Sequence, residues 1–280
     1  MYIYKIISIF DDTHNTFSLH LCAYSVKMAI IKYSKYLILC AIFLSESCIF
    51  GIPELPSFLK LCSKSDPNLK QCLIDSIESL RPLMAKGIPE FGIPSCEPLI
   101  IPQIVLDQGR GPVSIKSTYT NIQVFGPTKF FIKNAKIDMD KNRCKFKLFL
   151  PELTVNTNYT MSGKILMMPI VGSGLSFGNY TDIDAVVSMK TNKIEKDGEQ
   201  FFNIEKCFID FDIKDARLKF ENLFNGNEEL GDAINLFLND NWKTVADEIK
   251  PVLEDRLAEI FKRFSNKIFH KYPIRTLFPE

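Results

Sequence analysis

Gly174-Leu175-Ser176-Phe177-Gly178 has the spacing of a nucleophile elbow, where a serine on a sharp strand-to-helix turn is activated by a histidine and an acid. Here the residues after Gly178 alternate like a strand, and the only later histidine is His270. A glycine-rich hairpin is the simpler expectation, and an esterase-type hydrolase using Ser176 is the alternative. Asp138-Met139-Asp140-Lys141-Asn142 begins like a calcium loop, but Arg143 replaces the turn glycine and Phe149 the glutamate ligand, which leaves a polar hairpin tip. The cysteines and histidines have no zinc spacing such as C-x-x-C, and Gly172-Ser173-Gly174 lacks the third glycine of a dinucleotide fingerprint. The residues thus point to no metal, no cofactor and no catalytic group. Cys144 shares parity with Phe146, Leu148 and Leu150, and Cys207 with Ile209, Phe211 and Ile213, so both thiols are expected on an apolar face, bridged or free.

The elements that would position such residues begin with a leader. Lys32 and Lys35 precede the uncharged apolar run Tyr36 to Leu44 and the small residues Ser45 and Ser47, the pattern of a secretory signal peptide over residues 28–47. The run is shorter than the roughly 20 residues that span a bilayer, so no integral membrane span is expected. Residues 1–27 precede an internal Met28 and have no coherent pattern, which points to an extension ahead of the true start. Removing residues 1–47 takes four lysines and three acids from the 34 basic and 33 acidic residues and leaves 30 of each. That balance, with no basic cluster along the sequence, argues against nucleic acid or an anionic membrane as the main partner. The leader also removes His14 and His20, leaving His270, whose expected role is a favourable charge at a helix C-terminus. Of eight cysteines, Cys48, Cys62, Cys72, Cys96, Cys144 and Cys207 stay, and some should pair in a secreted chain. Asn158-Tyr159-Thr160 and Asn179-Tyr180-Thr181 are glycosylation sequons.

The remaining residues, 48–280, read as one domain. From Glu228 to Phe269 apolar residues recur every three or four positions, among them Leu230, Ile234, Leu238, Trp242, Val245, Ile249, Leu253, Leu257, Ile260 and Phe264. This is one helical stripe, roughly 60 Å long, with Asn227 as its cap and a kink expected at Pro251. A shorter helix is expected after Asp66-Pro67, carried by Leu69, Leu73, Ile77, Leu80 and Met84 and closed by Gly87. Cys62 lies before it and Cys72 in its second turn, so a bridge between them would clip the N-terminus to the helix, worth about 3 kcal/mol on the entropy model. A proline-rich connector, Gly87 to Pro102, leads into period-2 alternation that runs to Phe220 with turn signals at Gly109 to Pro112, Gly126-Pro127, Lys141-Asn142, Gly172 to Gly174 and Asp197-Gly198. A long antiparallel meander followed by one long helix is an α+β fold with the sheet curling around the rod.

Asn222-Leu223-Phe224-Asn225-Gly226, Leu230-Gly231-Asp232, Phe237-Leu238-Asn239, Asn241-Trp242 and Lys250-Pro251 resemble the insect takeout and haemolymph juvenile hormone-binding protein family. The doubled Gly-Ile-Pro unit before Pro98-Leu99, Gly163 to Leu166 before Pro169-Ile170, and Cys62 to Cys72 around Ser65-Asp66-Pro67-Asn68 extend the likeness over nearly all of residues 48–280. Cys96 departs from the family, which usually has apolar residues or proline there. The resemblance implies a single-domain lipid-binding fold of the TULIP type, a long helix wrapped by a curved antiparallel sheet around an apolar tunnel. It also implies secretion, a Cys62–Cys72 disulfide and a small hydrophobic ligand such as a terpenoid hormone or lipid. The expected product is a secreted monomeric carrier, with Phe146, Leu148, Met161, Ile183, Val187 and Phe211 lining the site from the strands and Trp242, Val245, Ile249 and Leu253 from the helix. A protein that binds partner surfaces or membranes around a solid core is the other alternative.

Overall fold

Between Leu99 and Phe220 the alternating residues form six strands: β1 (Leu99–Gln108), β2 (Val113–Phe125), β3 (Phe131–Asp138), β4 (Arg143–Ile165), β5 (Met168–Lys196) and β6 (Glu199–Phe220). The computed structural model describes residues 54–108 and 112–280, so the leader, the start site, Cys48 and the turn signal at Gly109 lie outside the described residues. All neighbours are antiparallel, in the order β1-β2-β4-β5-β6. β4 is long enough to pair with β3 along its first half and β2 along its second. Asp197-Gly198 joins β5 to β6 with both residues at positive φ, as a tight hairpin with right-handed strand twist requires.

The expected turn at Gly172 to Gly174 is instead strand interior. A Cβ at Gly172 would lie 2.8 Å from Tyr159 Oη and 3.1 Å from Leu223 Cα, and one at Gly174 would lie 2.8 Å from the Glu221 carbonyl. These glycines let the chain after β6 cross close over β5, rather than reverse it.

A crease runs across the sheet. The inward, better-buried residues are Phe146, Leu148 and Leu150 on one side of Pro151, and Thr157, Tyr159 and Met161 on the other, so the alternation changes phase. β5 does the same, from Ser176 and Gly178 to Ile183, Ala185 and Val187, with Asp182 at φ 52 in the crease. β2 has its irregularity between Thr120 and Gln123, with Asn121 at φ 50.

The long stripe becomes two helices. With α1 as the N-terminal helix (Leu69–Lys86), these are α2 (Glu228–Asp240) and α3 (Trp242–Phe269), and a short α4 (Ile274–Leu277) ends the chain. Asn227 caps α2 by accepting from the Leu230 amide at 3.0 Å. The stripe is interrupted at Asn241, where no break is expected, and Asn241 Nδ2 donates to the Phe237 carbonyl at 2.8 Å. α3 runs on through Pro251 because that residue and Asp247, whose carbonyl loses its donor, both face water. α1 starts two residues later than Asp66-Pro67 implied, after a turn in which Asp66 accepts from the Asn68 amide. Cys62 and Cys72 are joined by a disulfide.

Three asparagines fasten these helices to the free edge of β6. Asn235 accepts from the Phe220 amide at 2.8 Å and donates to its carbonyl at 2.9 Å. Asn239 makes the same pair with Leu218, both at 2.8 Å, and Asn266 the same with Ile204 at 2.8 and 3.5 Å. Each side chain takes the place of a neighbouring strand, which satisfies the edge and fixes the helix against it.

Candidate functional site

α3 lies along β6 and also touches β1 and β2, so it meets the sheet near both edges and covers its concave face. Two packed clusters flank this face. One joins α2 and the start of α3 to the far half of the sheet, through Tyr159, Met161, Phe220, Leu223, Ile234, Leu238 and Val245. The other joins Ile88, Phe91, Tyr272 and Leu277, with Phe58, Met84 and Phe269 packed around them. Edge-on aromatic pairs, Phe58 with Phe91 and Phe91 with Tyr272, knit the second cluster.

Between the clusters the inward residues are apolar yet only half-buried. Phe146, Leu148 and Leu150 on β4, Phe211 and Ile213 on β6, and Leu253, Leu257 and Ile260 on α3 all keep accessible surface. Ile183 and Val187, on β5 between them, are buried. The ten expected lining residues therefore divide. Met161 and Val245 belong to the first cluster, and Ile249 packs against it, so protein atoms already cover their faces. Phe146, Leu148, Ile183, Val187, Phe211 and Leu253 lie along the stretch between the clusters, while Trp242 is half-buried at the start of α3.

Polar groups near this face are few. Lys250 Nζ forms ion pairs with Asp210 at 2.8 Å and Glu254 at 3.5 Å and lies 5.7 Å from the Phe211 ring, tying α3 to β6. The Asp210 partnership holds the Lys250 ammonium above its ordinary range and the Asp210 carboxyl below it. Burial, then the neighbouring Tyr119 and Glu221, pushes the Tyr159 phenol up to about 12, and its hydroxyl donates to the Glu221 carbonyl at 2.7 Å. Burial also raises the phenols of Tyr119 and Tyr180. Cys144 and Cys207 both face inward and are free, one to either side of Met189 in register. A residue between them puts their Cα atoms about two strand spacings apart, roughly 10 Å, beyond disulfide reach. Burial pushes both thiols up to about 11. Cys96 is buried and free as well.

Ser176 is a buried residue in the middle of β5, paired across to Thr157 and Phe220, and the strand continues to Lys196. No helix follows it, and the Nε2 of His270, at the far end of α3, faces Asn203 at 3.0 Å. The geometry of a nucleophile elbow is not met. Asp138 accepts from the Lys141 amide at 2.9 Å in the β3–β4 hairpin. Among the described residues no three His, Cys, Asp or Glu side chains cluster as metal ligands, and no helix is long and apolar enough to cross a membrane. Asn158 is exposed on β4, whereas the Asn179 amide donates to Glu152 at 2.6 Å.

The family model for haemolymph juvenile hormone binding protein matches residues 37–279. The circadian clock-controlled protein daywake of Drosophila melanogaster is 27% identical over 260 residues, which cover 90% of this chain and 99% of that protein. Its counterpart in Drosophila yakuba is 24% identical over 231 residues, 80% of this chain and 88% of that one. The crystal structure of Epiphyas postvittana Takeout 1 superposes with a TM-score of 0.69 at 28% identity, over 79% of this chain and all of that one.

Proposed function

From the membership of this chain in the haemolymph juvenile hormone-binding protein family, we propose that it carries a small hydrophobic molecule, a terpenoid or related lipid, in a tunnel between the concave sheet and α3. The observation that carries this reading is the apolar middle, inward by register yet only half-buried between two packed clusters. A ligand burying about 300 Å² of apolar surface there gains roughly 7 kcal/mol before the costs of ordering it. Leu253, Leu257, Phe146, Leu148 and Phe211 form the walls, with Ile183 and Val187 as the floor on β5. Val245, Ile249 and Met161 support it from the first cluster, with Trp242 half-buried at the start of α3. The chain acts as an exported monomer after loss of residues 28–47, with Asn158 the better placed of the two sequons for a glycan. Binding needs no catalytic group, and Ser176 contributes packing.

The test compares Leu253→Trp with Val245→Trp. Filling an open tunnel at Leu253 is expected to abolish displacement of an apolar fluorescent probe with little change in Tm. Overpacking Val245, which is 8% exposed in a packed cluster, is expected to cost about 1–3 kcal/mol of stability and leave the probe site intact. The reverse pattern would make the middle a solid core and end the carrier reading. Ser176→Ala should leave probe binding unchanged.

A further inference from the structure

The face of the sheet opposite α3 carries a charge cluster that the balanced sequence conceals. In register, Lys136, Lys145, Ser188 and Phe208 form one row across β3, β4, β5 and β6, and Asp138, Arg143, Lys190 and Lys206 form the next. Lysines at alternate positions on separate strands are far apart in sequence and adjacent on the sheet. The rows line a depression of about 760 Å³ on the outer surface. Three of the nearby acids are taken by other partners, Asp138 by Lys141 at 3.6 Å, Glu205 by Lys190 at 2.8 Å and Asp210 by Lys250 at 2.8 Å, and Asp140 lies out at the β3–β4 hairpin tip. Lys136, Arg143, Lys145 and Lys206 are exposed and have no ion-pair partner among the described residues. Phe208, at the β6 end of the row, is 63% exposed.

We propose that this face docks on a bilayer containing anionic lipids, with the four unpaired cations against the headgroup phosphates and carboxylates and Phe208 at the depth of the acyl boundary. An outward aromatic at the end of a row of cations matches the chemistry of that interface, where charge attracts the surface and the ring enters it. A free polyanion would satisfy the cations and give Phe208 no burial, so the aromatic decides between them. The proposal does not depend on the tunnel: apolar-probe binding by the same variants reports on the interior separately, and its failure would leave the docking face standing.

The test is co-sedimentation of the intact protein with vesicles of phosphatidylcholine alone or mixed with phosphatidylserine. Binding is expected only to the mixed vesicles, and weaker at high salt. Each cation near the surface strengthens partitioning about fivefold, so Lys145→Ala with Lys206→Ala is expected to weaken it roughly 25-fold. Phe208→Ser should weaken binding and keep its salt dependence, and Lys164→Ala, at the other end of β4, should change nothing. Lys136→Ala with Arg143→Ala serves as a second pair should the first not fold. Equal binding to both vesicle types, no binding to the mixed ones, or undiminished binding by the paired variants would overturn the proposal. Retention on an immobilised sulfated polysaccharide without vesicle binding would overturn it too, assigning the face to another class of partner.

Discussion

Replacing Asn239 tests whether the amide ladder holds the helices to the sheet. Asn239 Oδ1 accepts from the Leu218 amide at 2.8 Å, and its Nδ2 donates to the carbonyls of Leu218 at 2.8 Å and Asn235 at 2.7 Å. Asn239→Leu removes all three bonds and strands the Leu218 edge groups under α2. At about 1 kcal/mol for each net bond, with a further penalty where a stranded group stays dry, the loss is about 3–4 kcal/mol. Asn239→Asp is more telling. At neutral pH its carboxylate still accepts from the Leu218 amide but faces two carbonyl oxygens, while the protonated acid can donate again. The folded state therefore favours the protonated form and raises that carboxyl above its ordinary value of about 3.9. Below the raised value the variant approaches the wild type, and above it the full penalty applies, so the difference in stability should shrink as pH falls. Urea unfolding followed by fluorescence of Trp242, the single tryptophan, three residues from the site, reads both effects. A change below about 0.5 kcal/mol for Asn239→Leu, of the size of an ordinary surface substitution, together with a pH-independent Asn239→Asp, would refute the reasoning.

Two further outcomes are expected. Burial pushes the Glu97 carboxyl up, but the Thr128 hydroxyl at 2.6 Å and the amides of Gly126 and Thr128 at 2.8 and 2.9 Å outweigh it and hold the group below the ordinary carboxylate range. Its stabilisation is present above the unfolded value of about 4.3 and disappears as pH falls through the folded one, so the stability gap between wild type and Glu97→Gln, about 1 kcal/mol after solvent screening, should close in acid, as the difference in Tm will show. Non-reducing peptide mapping should find Cys62 joined to Cys72 and Cys144, Cys207 and Cys96 alkylated only after unfolding; native alkylation of Cys144 and Cys207 should stay slow until pH nears 11. A Cys144–Cys207 peptide would contradict the register of β4, β5 and β6.

The sequence carries the architecture in its two periods. The apolar stripe from Leu230 to Ile268 becomes α2 and α3, and the alternation from Leu99 to Phe220 becomes the sheet. The errors sit where a local signal has two readings. Gly172 and Gly174 look like a turn because glycine permits one, yet the missing Cβ atoms serve the passage of Leu223 and Glu221. Pro151 and Asp182 change the phase of their strands without stopping them, which along the chain resembles two shorter strands. The helix continues through Pro251, which faces water, whereas the interruption at Asn241 has no signal in the stripe, because the partners of Asn239 and Asn241 belong to other turns and strands. Within the candidate site, parity indicates which residues face inward. Whether Val245 packs fully and Leu253 stays half-buried depends on the far side of the sheet, which no local window contains.

The element that covers the concave face is made after the whole sheet. All six strands precede Glu228, and at about 5–20 residues per second the stretch from there to Glu280 takes about 3–10 s to synthesise. During that interval a nascent sheet that has already paired would present Phe146, Leu148 and Phe211 to its surroundings, with the edge of β6 still bare. On the carrier reading proposed above, the order of synthesis leaves a brief window in which a hydrophobic guest meets an open trough and needs no opening between finished elements. Cargo present where the chain is made could be enclosed as the helices close, while cargo met later must enter a protein whose lid is already bonded to its rim.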